Sequence, residues 1–65
     1  MYEFHATCGK DGPSKDQRGN KAEMKQAARE FIAAHPECTA WVALLKRRGN
    51  VLVLAYTDGR MDIDE

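Results

Sequence analysis

Tyr2, Phe4, Ala6 and Cys8 alternate with Glu3, His5 and Thr7, the period of two of a strand with one buried face, so residues 1–8 are predicted to be a strand. The alternation then stops. Gly9, Gly12, Pro13, Ser14 and Gly19, set among Lys10, Asp11, Lys15, Asp16 and Arg18, make residues 9–19 read as a mobile surface loop. After it the period lengthens to three and four. Met24, Ala27, Ala28, Phe31, Ala34 and His35 fall on one helical face with Ile32 at its flank, and that face is expected to be buried. Asn20 followed by Glu23 resembles a capping box that starts the helix. Pro36 ends it, because proline disfavours helical geometry at the residue before it and cannot donate a backbone bond.

The remaining chain reads as two hairpins. Gly49-Asn50 suits a two-residue turn between strands 39–48 and 51–57, which would set Arg48 opposite Val51, Leu45 opposite Leu54 and Ala43 opposite Tyr56. Asp58-Gly59 suits a second, type I′ turn, with Met61 opposite Tyr56 and Ile63 opposite Leu54. On this register Phe4, Met24, Phe31, Trp41, Leu45, Leu54, Tyr56, Met61 and Ile63 form the core. The uncovered face would show a strip of Val42, Leu44, Val51 and Val53 rimmed by charge, a pattern common to association surfaces and to ordinary strand propensity alike. The predicted architecture is α+β, β-α-β-β-β, with one helix on one face of a mainly antiparallel sheet. Pattern alone leaves open whether the first strand borders the strand at 39 or the last one.

Sixty-five residues allow one domain, 1–65, because so short a chain buries only about 60% of its unfolded surface. The longest apolar runs, 40–45 and 51–56, are far shorter than the roughly 20 residues of a membrane-spanning helix. With no basic stretch before a long apolar one at the start, no secretory signal is expected. The expected address is therefore cytoplasmic.

His5-Ala-Thr-Cys8 and His35-Pro-Glu-Cys38 are two His-x-x-Cys pairs whose donors would suit tetrahedral zinc in a zinc-ribbon-like module. Spacing argues the other way. A helix of about 15 residues, roughly 22 Å long, would hold the pairs near opposite ends of the domain, and His5 and Cys8 would point to opposite faces of a strand. No metal or cofactor is expected, and a Cys8–Cys38 disulfide is disfavoured on the same distance. No nucleophile-base set or phosphate-binding glycine spacing is present, so the chain is not read as an enzyme.

Ten basic residues balance ten acidic ones, and no overall field compels binding to nucleic acid or membrane. The placement is uneven. Lys21, Lys25 and Arg29 form a like-charge ridge at spacing four, extended by Lys15 and Arg18, and such a ridge costs an isolated helix a few tenths of a kcal/mol per pair. Lys46, Arg47 and Arg48 form a second cluster at a hairpin tip, with the acidic C-terminus expected to lie apart from both. These eight residues are the candidate partner-binding set. A solvated surface is the alternative reading of either cluster.

The stretch 49–60, Gly-Asn-Val-Leu-Val-Leu-Ala-Tyr-Thr-Asp-Gly-Arg, with Leu-Ala-Tyr ahead of an Asp-Gly turn, is similar to the C-terminal hairpins of one type I inhibitor among the small phage-encoded anti-CRISPR proteins. The resemblance covers about a third of the chain. It implies a stoichiometric inhibitor in the host cytoplasm that docks on a Cas subunit of a surveillance complex and blocks target DNA. Here the basic residues sit mainly on the helix, its loop and one hairpin tip, and the C-terminus is acidic, a departure that leaves the Cas subunit and the surface used open. A small nucleic-acid-binding domain using the same basic residues is the alternative. The chain is expected to be a monomer or a weak homodimer through the open sheet face.

Overall fold

The computed structural model describes residues 1–9 and 12–65. Five strands and one helix follow one another as β1 (Tyr2–Thr7), β2 (Ser14–Gly19), α1 (Lys21–Ala34), β3 (Thr39–Leu44), β4 (Val51–Thr57) and β5 (Arg60–Asp64). They form one sheet in the order β2-β1-β3-β4-β5, with every neighbouring pair antiparallel. The class is α+β, with a C-terminal three-stranded meander, and β1 borders the first strand of that meander.

One strand departs from the expected pattern. Residues 14–19 form β2, an edge strand, where a mobile loop is expected; Lys10 and Asp11 lie outside the described residues. β2 carries no apolar alternation because it is held through the backbone ladder and through cross-strand charge pairs. Glu3 faces Arg18 and His5 faces Asp16, opposite signs at matched positions. Charged side chains along an edge also discourage pairing with another chain.

β2 reverses the chain direction before the helix begins. β1 runs to Thr7, β2 returns, and α1 then carries the chain back to the end where β1 finished, so that Thr39 starts β3 opposite Thr7. The helix begins and ends as its sequence suggests. Asn20 Oδ1 accepts from the Glu23 amide at 2.8 Å, and Glu23 Oε1 accepts from the Asn20 side-chain amide at 2.7 Å. His35 closes the other end, its amide donating to the Phe31 carbonyl at 2.8 Å. Met24, Ala28, Phe31 and Ile32 are the buried helical residues, whereas Ala34, expected on the apolar face, is exposed.

The first hairpin corrects the predicted core. Val42 pairs with Leu54 and Ala40 with Tyr56, three positions from the register of a two-residue turn, and an odd slip exchanges the faces of a strand. Ala40 and Val42 therefore line the core, with Leu44 packed against it, while Trp41 turns to the open face and Leu45 lies beyond the strand. β3 leaves the ladder at Leu44; continuing it would carry Lys46 and Arg48 to the same face as Ala40, Val42 and Leu44, toward the core, where an unpaired charge is costly. A six-residue connection, 45–50, replaces the short turn. Within it the Gly49 amide donates to the Lys46 carbonyl, with Gly49 at φ 132°. An irregularity between Val42 and Ala43 lets the consecutive residues Val53 and Leu54 both enter the core.

The second turn follows the prediction more closely. Asp58 and Gly59 take φ of 52° and 79°, the left-handed pair of a type I′ turn, and Met61 faces Tyr56. A Cβ at Gly59 would stand 1.6 Å from the Pro36 carbonyl oxygen, so this turn also packs against the end of the helix. Beyond it the register shifts between Ala55 and Tyr56, setting Ile63 opposite Ala55 and Asp64 opposite Leu54. Ile63 thus joins the open face, and Met61 is 55% exposed, so neither belongs to the core.

The core gathers Phe4, Met24, Ala28, Phe31, Cys38, Val42, Leu54 and Tyr56 beneath the helix. Leu54 is fully buried and Leu52 is 41% exposed. Leu54→Ala is expected to cost about 2–5 kcal/mol through lost burial and a cavity, and Leu52→Ala to stay within about 0.5 kcal/mol, as for surface positions. Urea unfolding of the two variants measures both values, and equal losses would contradict this assignment of faces.

Candidate functional site

The helix covers one face of the sheet, and the other face carries a row of side chains that the register brings into line. Asp16, His5, Trp41, Ala55 and Ile63 follow one another across all five strands. Arg18, Glu3, Ala43 and Leu52 form the next row, on the side of the connection 45–50. At the centre the His5 imidazole stacks on the Trp41 indole, with centroids 5.5 Å apart and planes 27° from parallel. Beside them Thr39, Trp41, Leu52, Ala55 and Thr57 line a shallow depression of about 210 Å³.

His5 has a carboxylate at each ring nitrogen. Nε2 meets Glu3 Oε1, and Nδ1 lies 2.6 Å from Asp16 Oδ1. Only the doubly protonated ring donates at both positions, so the two carboxylates favour the imidazolium form. The hydrogen bond to Glu3, aided by Asp16 and by the charge of both carboxylates, raises the His5 pKa above its ordinary 6.5. Arg18 Nε donates to Glu3 Oε2 at 2.7 Å. Bonded to both His5 and Arg18, Glu3 titrates below its ordinary 4.5. The patch is a closed charge network, and no hydroxyl or thiol among the described residues is bonded to His5.

The predicted basic set separates. Lys25 Nζ contacts Asp64 Oδ1 at 2.7 Å and donates to the Glu65 carbonyl at 3.1 Å, while Arg29 Nη2 lies 3.6 Å from the same Asp64 oxygen. The hydrogen bond from Lys25, with support from Arg29, lowers the Asp64 pKa. The acidic C-terminus therefore does not lie apart from the helix ridge. Once β5 shifts register, Asp64 stands on the helix side and offsets the like-charge spacing of Lys25 and Arg29. Arg18 is likewise taken by Glu3. Lys15, Lys21, Lys46, Arg47 and Arg48 have no ion pair among the described residues, and the last three crowd the connection 45–50.

At the opposite end of the sheet the β1–β3 register continues past Thr7 and Thr39, bringing Cys8 beside Cys38. Their Cα atoms are 4.6 Å apart and a disulfide joins them. This corrects the expectation of separated thiols. The distance estimate fails because β2 returns the chain before the helix starts, so the helix ends where β1 ends. His35 and Glu37 stand at the same place, and His5 does not, so only three of the four residues of the predicted zinc set converge. The side-chain donors of Cys8, His35, Glu37 and Cys38 all lie within 4.8 Å of one another.

No protein family, curated protein or solved structure matches this chain.

The His5 network implies a pH optimum of stability. Folding raises the His5 pKa above 6.5, so its stabilisation is full below 6.5 and is lost as pH climbs through the folded value. Folding lowers the Glu3 pKa below 4.5, so its contribution is present above 4.5 and is lost as pH falls through its folded value. The network thus supports the fold most between pH 4.5 and 6.5. Melting temperature is expected to decline above this window in the wild type and to flatten there in His5→Gln. An imidazole titration of His5 by NMR with a midpoint at or below 6.5 would contradict the network.

Proposed function

We propose that this chain is a non-catalytic binding protein that docks on a protein partner through the open sheet face and the basic connection 45–50. The observation that carries this reading is the His5–Trp41 stack on the uncovered face, two residues along the ladder from the row that leads to Lys46, Arg47 and Arg48. Aromatic side chains and arginines beside a shallow apolar depression are typical anchors of protein interfaces. An enzymatic role for His5 is less well supported, since carboxylates engage both ring nitrogens and leave none free as a base. Of the three helical cations, two are occupied by Asp64, which moves the weight of the contact from the helix ridge to the hairpin connection.

The similarity of residues 49–60 to an anti-CRISPR hairpin names the partner to try first: a Cas subunit of a type I surveillance complex, met in the host cytoplasm and inhibited stoichiometrically. A small nucleic-acid-binding domain remains the alternative, using Lys46, Arg47 and Arg48 on phosphates. The zinc-ribbon-like reading is set aside in the form that includes His5, which sits with Glu3 and Asp16.

Calorimetry with purified type I surveillance complexes is the test. Wild type is expected to bind stoichiometrically, and Trp41→Ala and the triple change Lys46→Glu, Arg47→Glu, Arg48→Glu are each expected to weaken binding by about tenfold or more. Free duplex should bind only at about 10⁻⁴–10⁻⁶ M, as non-specific contacts do. Tight, salt-sensitive duplex binding without a protein partner would transfer the function to the nucleic-acid reading. Sedimentation showing a dimer lost in Trp41→Ala would assign the face to self-association.

A further inference from the structure

Three of the four donors grouped at the disulfide come from one short turn. His35, Glu37 and Cys38 follow the last residue of α1, and the Cys38 amide donates to the His35 carbonyl at 3.0 Å, which folds residues 35–38 tightly. The fourth, Cys8, arrives from β1 through the sheet register. The Glu37 carboxylate faces both sulfurs almost equally, its Oε1 lying 3.6 Å from Cys8 Sγ and 3.7 Å from Cys38 Sγ. A disulfide has no proton to offer that oxygen. The arrangement has a clearer purpose when the two sulfurs are thiolates sharing a cation with it.

We propose that, when the Cys8–Cys38 bond is reduced, Cys8, Cys38, His35 and Glu37 bind one zinc-class divalent ion, and that disulfide and metal are alternative clamps on the same junction. Two thiolates, an imidazole and a carboxylate are a borderline-soft donor set that favours zinc or cobalt over magnesium or calcium. Metal–sulfur bonds of about 2.3 Å and metal–nitrogen bonds of about 2.0–2.1 Å place tetrahedral donors roughly 3.3–3.8 Å apart. Donors already within 4.8 Å of one another need only small side-chain rotations to reach that shape, together with parting of the two sulfurs. The His35 ring packs on Phe31 with centroids 4.8 Å apart, which limits its swing. Cys38 is buried, Cys8 and His35 are half-buried and Glu37 is exposed, so the ion would sit at the surface with an open approach.

The exchange balances through a dithiol reductant. The reductant delivers two electrons and two protons to the S–S bond and becomes a disulfide itself, leaving two thiols on the protein. Metal binding then releases both thiol protons as the sulfurs ligate. Either clamp ties the end of β1 to the start of β3, and the metal adds the cap of α1 through His35. The junction can therefore be held in a reducing compartment as well as an oxidising one.

The test uses the full chain, reduced with a dithiol, freed of it by gel filtration without oxygen, and titrated with cobalt and then zinc. One cobalt per chain is expected, with the thiolate-to-metal absorption and the visible bands of a tetrahedral site, displaced by zinc. The oxidised chain and the double variant Cys8→Ser, Cys38→Ser should show neither. His35→Ala and Glu37→Gln keep both thiols and are each expected to weaken zinc binding by about tenfold or more. Unchanged affinity in both would reduce the site to a bare dithiol and overturn the proposal. No charge-transfer band in the reduced wild type, or one ion shared by two chains, would overturn it as well. If reduction unfolds the chain, recovery of its NMR dispersion on adding one equivalent of zinc supports the site, and failure to recover contradicts it. The cluster lies at the end of the sheet away from residues 45–50, so these outcomes do not depend on the docking surface.

Discussion

Backbone pairing of β1 on both sides is the constraint from which the other features follow. As the second strand of five, β1 sets the register of β2 and of β3 independently. One residue of slip on either side would exchange the faces of the partner strand. With the observed registers Phe4 and Ala6 fall beneath the helix beside Val42 and Ala40, and Glu3 and His5 fall on the open face beside Arg18, Asp16 and Trp41. The same ladder, carried one residue beyond Thr7, delivers Cys8 to Cys38.

Charge follows this geometry closely. A chain with no net charge could scatter its ions over the surface, where isolated pairs contribute little. Here several are used to position elements. Glu3, His5, Asp16 and Arg18 link an apolar-poor edge strand to the sheet, and Lys25 and Arg29 meet Asp64 so that the helix reaches across to the last strand. The cations of the connection 45–50 have no such task among the described residues. That difference divides the eight basic residues into two groups, one engaged in ion pairs that link elements and one without an ion pair among the described residues.

The two faces and two ends of the molecule divide its chemistry. The bare face offers aromatic and apolar contact next to positive charge at one end of the sheet. At the other end sulfur, imidazole and carboxylate gather where the helix cap meets β1 and β3. A small domain has limited core to stabilise it, and a covalent or metal clamp at such a junction adds what the core lacks.

Local chemistry was legible in the sequence. The Asn20 cap, the stop at Pro36, the buried face of Met24, Ala28 and Phe31, the Asp58-Gly59 turn and the pairing of Tyr56 with Met61 each depend on a few neighbouring residues, so the one-helix α+β class could be read directly. What depends on distant partners could not. β2 has no apolar period, and its signal is a match of opposite charges to Glu3 and His5 that exists only after pairing. The faces of β3 hinge on where a strand leaves its ladder, and Gly49-Asn50 suggests a two-residue turn although Lys46, Arg47 and Arg48 are better solvated in a longer one. The meeting of Cys8, His35, Glu37 and Cys38 required knowing that β2 brings the chain back before the helix starts. Separation along a chain translates into distance only through the direction of every element between, and tertiary pairing decided those directions.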